Sequence, residues 1–140
     1  MELEKKITSK YNTPDNEVDI PITSHLAFLA VIKLQELDQI FRIYYQFETK
    51  ENKLRWIGYT NLYPCDYIIP SKENAVENTQ GINLPNTKNV VIFENINTAI
   101  KNRFPLLREA PTRIIRIRCR ADKEIEKDIE FNYSIVENKL

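Results

Sequence analysis

Glycine is almost missing from this chain: among 140 residues only Gly58 and Gly81 are glycine. A phosphate loop needs clustered glycines so that backbone can approach the phosphates, and neither G-x-G-x-x-G nor G-x-x-x-x-G-K-[ST] can be written here. Histidine is represented by His25 alone, so a zinc site or facial triad built on two histidines is excluded. Cys65 and Cys119 lie far apart and in no C-x-x-C pair. They are expected to be reduced thiols, with no zinc knuckle and no disulfide framework. A surplus of positive charge is also missing, since 20 Lys and Arg balance 20 Asp and Glu. Binding of nucleic acid or membrane through overall charge is therefore not expected. The most apolar run, residues 26–34, is too short for a membrane helix, and the opening residues carry charge with no apolar run behind them. The expectation is a soluble cytoplasmic protein with no metal and no cofactor. Abundant Ile, Asn, Lys and Tyr, all with A/T-rich codons, point to an AT-rich genome such as that of a phage or bacterium.

What is present suits one globular domain. With 42% hydrophobic and 29% charged residues, a chain of this size can bury about two thirds of its unfolded surface around a single core. Residues 1–22 are polar and punctuated by Pro14-Asp15-Asn16 and Pro21, which predicts an N-terminal arm with one short strand, outside the core. Residues 23–140 then form a single α+β domain. Over residues 26–37 two templates compete: Leu26, Leu29, Ala30 and Leu37 share a helical face, whereas Leu26, Phe28, Ala30, Ile32 and Leu34 alternate as in a strand. Phe41, Ile43, Tyr45 and Phe47 also alternate, and Leu54-Arg55-Trp56-Ile57 follows after a polar loop. Their aromatic and β-branched content favours a three-strand antiparallel meander. Residues 61–89, with Pro64, Pro70, Gly81 and Pro85, predict a long irregular loop, a common place for function. Val90 to Phe93 reads as a buried strand. Ile96, Ala99, Ile100 and Phe104 then mark one short helix around residues 96–104, capped by Asn95 or Asn97 and ended by Pro105. Residues 113–120 and 129–136 both have period two and predict a closing antiparallel pair. The fold class is strand-rich α+β.

Candidate sites follow from side-chain chemistry. In an extended chain Arg116, Arg118 and Arg120 share one face at about 7 Å spacing, and with Arg113 they form a comb of guanidiniums suited to phosphates or carboxylates. The stretch after Asp122 is acidic, so cross-strand neutralisation by Glu130 and its neighbours is the competing expectation. Trp56, Tyr59, Tyr63 and Tyr67 run from the meander into the long loop and are residue types that anchor interfaces. A Cys-His nucleophile would need His25 beside Cys65 or Cys119. Cys119, among isoleucines, reads more simply as core.

Two local resemblances accompany this. Glu2-Leu3-Glu4-Lys5-Lys6 fits the E-x-E-x-K signature of the triphosphate-tunnel (CYTH) family, and Phe47-Glu48-Thr49 with Leu54 and Gly58-Tyr59 is similar to its strand-turn-strand segment. That resemblance implies a barrel holding triphosphate and metal, yet Thr60-Asn61-Leu62-Tyr63 lacks the bases of the family's L-R-x-R strand. The order of strand, capped helix and strand from Gly81 to Arg113 resembles the middle of ADP-ribosyltransferases, without an R-S-E or H-Y-E triad. The leading expectation is a non-catalytic protein-interaction domain, a subunit of an assembly or a small inhibitor or immunity-type protein. It would bind a protein partner through Trp56, Tyr59, Tyr63, Tyr67 and the 61–89 loop. The alternative is a phosphate- or nucleotide-binding domain, or enzyme, using Arg113, Arg116, Arg118 and Arg120.

Overall fold

A computed structural model describes residues 3–9, 14–61, 66–69, 75–78, 82–83, 88–121 and 128–137. Period-two apolar residues dominate it and place their side chains in one core between two sheets. The first sheet is ordered β1 (Leu3–Ser9), β11 (Ile129–Glu137), β3 (Leu26–Lys33), β9 (Asn89–Asn95) and β8 (Ile82–Asn83). The second is ordered β2 (Asn16–Pro21), β10 (Pro111–Ala121), β4 (Phe41–Thr49), β5 (Leu54–Thr60), β7 (Ala75–Asn78) and β6 (Asp66–Ile69). Every pairing is antiparallel except that of β5 with β7. The strand-rich α+β expectation is met. Phe41, Ile43, Tyr45 and Phe47 all point inward, as do Phe131 and Tyr133 from the opposite sheet. Phe28 of β3 reaches across to Tyr45 at 5.1 Å between ring centroids, and Phe41 meets Phe131 edge-on at 6.4 Å. Such cross-sheet contacts make a sandwich core, each buried ring contributing about 1.5–3 kcal/mol.

The pairings differ from the sequence-based expectation in four places. β4 and β5 form the expected hairpin, but β3 leaves the meander and lies in the other sheet between β11 and β9. β10 and β11 are not a pair: β10 lies between β2 and β4, β11 between β1 and β3. The physical reason is common to both: a period-two pattern specifies which face of a strand is buried and leaves its neighbour open. Strands with one apolar face are satisfied equally by lying side by side or face to face. Residues 1–22, expected as an arm, supply one edge strand to each sheet, and Ile20 lies in the core. The 61–89 connection holds three short strands, β6, β7 and β8, where irregular chain was expected.

The helix α1 (Ile96–Arg103) is where its sequence places it. Asn95 caps it, its side chain accepting from Thr98 N at 2.9 Å, and Ile96, Ala99 and Ile100 face the core. Phe104 ends it and packs edge-on against Phe47, 5.9 Å between centroids. Among the described residues no helix is long and apolar enough to cross a membrane.

Candidate functional site

The arginine comb exists, and a bulge completes it. Strict alternation would send Arg113 to the face opposite Arg116, Arg118 and Arg120. In β10 the register against β4 shifts between Ile114 and Arg116, leaving Ile115 without a counterpart. One extra residue reverses the phase, so Ile114, Ile117 and Cys119 enter the core and all four arginines share the outer face.

Each of those arginines is held by neighbours. Arg113 bonds Glu48 through Nε at 3.0 Å and Asp19 at 3.2 Å. Arg116 donates to Gln46 at 2.8 Å and meets Glu17 at 3.1 Å. Arg118 grips Asp15 with Nε and Nη2, both at 3.0 Å, and Arg120 reaches the same carboxylate at 3.4 Å. The acidic partners come from β2, β4 and the segment just before β2. Glu130, the expected partner, lies in the other sheet with Lys6 at 3.1 Å and Lys33 at 3.5 Å. Burial works against the Asp15 carboxylate, but the hydrogen bond and charge of Arg118, with Arg120 and Arg116 behind it, outweigh burial and hold its pKa below the usual value. A ligand phosphate would have to displace acids already bound, Asp15 in bidentate geometry. Of the E-x-E-x-K segment, Glu4, Lys5 and Lys6 are exposed on the edge strand β1.

Two of the four expected surface aromatics, Trp56 and Tyr59, are buried. Trp56 is 2% exposed, beneath the Arg118 guanidinium, whose carbon is 4.2 Å from the ring centroid, and against Tyr44 at 6.1 Å. Tyr59 is fully buried because it shares its face of β5 with the core residue Ile57. Tyr63 lies outside the described residues, and Tyr67 is placed only as backbone of β6. Sequence alone does not separate a sheet residue that anchors an interface from one that anchors the core, since both use Trp and Tyr.

Tyr59 instead opens a buried polar network at the helix end of the sandwich. Its hydroxyl donates to Glu94 Oε1 at 2.6 Å and lies 3.4 Å from the Tyr45 hydroxyl. Arg103, from the last turn of α1, meets Glu94 Oε1 at 3.1 Å and Oε2 at 3.2 Å and sits over the Tyr59 ring at 5.0 Å. Burial raises both phenol pKa values well above the ordinary tyrosine value, so both remain neutral donors. The network is largely buried: the side chains of Arg103 and Glu94 are 1% and 11% exposed.

Beside it lies an open groove of about 670 Å³ whose lining includes none of the expected site residues. One wall is the β4–β5 turn with Glu51, Lys53 and Arg55; the other is residues 103–109. Phe104 and Leu107 pack on the core, while Leu106 is 90% exposed. The chain turns here with Leu107 N donating to Phe104 O at 3.0 Å, and Pro105 in the second position of such a turn has its φ preset. Leu106 is thus turned out to solvent by a hydrogen-bonded proline turn. The walls are tied together at one end by Lys50 N to Ala110 O at 2.8 Å and by the Lys53–Glu109 ion pair at 2.7 Å. That hydrogen bond and charge keep the Glu109 carboxyl below the usual carboxylate range. In the sequence, the available signal was the apolar run Phe104-Pro105-Leu106-Leu107 directly after a helix stop.

Catalytic candidates are dispersed. His25 is exposed in the turn before β3. Cys119 is a buried free thiol whose pKa burial pushes up to about 12. Cys65 lies outside the described residues, and among those described no group of three or more His, Cys, Asp or Glu gathers to hold a metal. No family model matches the sequence, and no curated protein matches it either.

Proposed function

We propose that this chain is a non-catalytic protein-interaction module that docks a partner protein in the groove between the β4–β5 turn and residues 103–109. The observation that carries this is Leu106, a large apolar side chain held in solvent by a proline turn at the edge of a preformed groove. Single exposed leucines are common. This one stands on a rigid wall hydrogen-bonded to the facing wall, so ordering costs on binding are small. The charged outer face of β10 supports the same view, because its arginines already satisfy one another's acids and present little unmatched charge.

The test compares partner capture from the native host by the wild type, Leu106→Asp, and the double variant Arg116→Ala with Arg118→Ala. Loss of capture with Leu106→Asp alone is expected. Loss with the arginine double variant alone, or a rise in melting temperature with ATP or tripolyphosphate at low salt, would transfer the function to the arginine face.

A further inference from the structure

Resting on the docking role proposed above, we propose that the groove's occupant is an acidic peptide segment, an apolar anchor with a carboxylate on either side of it. The charges along the groove specify this. Six of its lining residues are ionic: Glu51, Lys53, Arg55, Arg103, Arg108 and Glu109. Lys53 is neutralised by Glu109, and Arg103 by Glu94 inside the core. Two guanidiniums remain without an ion pair to any described residue, and they stand on opposite walls. Among the described residues Arg55, at the start of β5, donates to the neighbouring carbonyl of Leu54 at 2.9 Å. Arg108, on the turn wall, is exposed.

The contrast with β10 is informative. There each guanidinium is met by an acid or amide of the same chain, whereas at the groove two have no ion pair among the described residues and stand beside an exposed leucine. Guanidinium forks bind carboxylates in bidentate fashion, and apolar floor beside unmatched charge is the arrangement by which interfaces combine anchoring with selection. Leu106, with Phe104 and Pro105 behind it, offers the apolar contact. Arg55 and Arg108 select acids on the two flanks of the anchor. The remaining lining acid, Glu51, stands on the same wall as Lys53 and Arg55, so among the described residues the groove's unpaired charge is two guanidiniums against one carboxylate.

The test is a selection of phage-displayed random dodecapeptides on the intact protein, followed by fluorescence polarisation of the enriched peptides. Enriched sequences should carry Asp or Glu flanking Leu, Ile or Phe. Leu106→Asp should weaken them at least tenfold, and Arg55→Glu with Arg108→Glu should turn the preference toward Lys-flanked versions of the same peptides. Enrichment of neutral or basic peptides that still depend on Leu106 would overturn the acidic specificity and leave the docking role standing. No enrichment, or enrichment indifferent to all three substitutions, would overturn both. A concentration-dependent dimer in sedimentation that Leu106→Asp abolishes would give the groove to a second copy of this chain and overturn the peptide.

Discussion

Replacing Arg103 by Met should destabilise this protein severely although the new side chain is apolar and similar in length. Arg103 is the cation of a buried pair, with two contacts to Glu94 at 3.1 and 3.2 Å and side-chain exposures of 1% and 11%. Without it the Glu94 carboxylate keeps the Tyr59 hydroxyl at 2.6 Å but no positive charge. Breaking a buried pair by removing one partner costs about 3–5 kcal/mol, because the remaining charge stays out of water. For a two-sheet chain of this length, that is a drop in Tm on the order of 10–20 °C. Urea unfolding followed by the emission of Trp56, the sole tryptophan, measures it. The double variant Glu94→Gln with Arg103→Met should be more stable than the sum of the two single changes requires, with a coupling of about 1–3 kcal/mol. A cost under about 1 kcal/mol for Arg103→Met, with no coupling, would refute the claim that this pair organises the helix end of the core.

Other consequences concern Asp15 and Cys119. Asp15 has a folded-state pKa below its unfolded value, so its contribution is present above the unfolded pKa and is lost as pH falls through the folded one. Asp15→Asn should therefore cost about 1 kcal/mol at pH 7, and its deficit relative to wild type should shrink below pH 4; a constant deficit from pH 7 to pH 2 would contradict this. Cys119, with its thiol at about 12, is thiolate in about one molecule in ten thousand at pH 8. In a Cys65→Ser background it should label with a thiol reagent only as fast as the protein opens, and prompt labelling of the native state would place it nearer the surface.

How much of this was legible in the sequence depends on the kind of pattern. Phe41, Ile43, Tyr45 and Phe47, or Phe131, Tyr133 and Ile135, announce their buried faces, and Asn95 with Pro105 bracket the helix. Neighbour choice was not legible, because β10 and β11 can bury the same faces as a pair or as opposed sheets. The bulge at Ile115 was hidden too, since in R-I-I-R-I-R an isoleucine doublet looks like ordinary β-favouring chain. The arginine face was foreseen and its acids were misplaced, because Asp15 and Glu17 reach β10 only once β2 docks there. Trp56 and Tyr59 were recognised as anchors of something. Their burial was decided by β5 lying inside its sheet. The exposure of Leu106 follows from the Phe104 turn, which local composition alone does not fix.

The most direct test of docking in the groove is amide-resolved NMR of the intact protein, titrated separately with selected acidic-apolar peptides and with tripolyphosphate. The expected result is that peptide moves resonances of residues 51–55 and 103–109, while tripolyphosphate leaves Arg113, Arg116, Arg118 and Arg120 in place. Peptide that leaves the groove unchanged, together with tripolyphosphate that shifts the β10 arginines, would contradict the account and restore the anion-binding alternative.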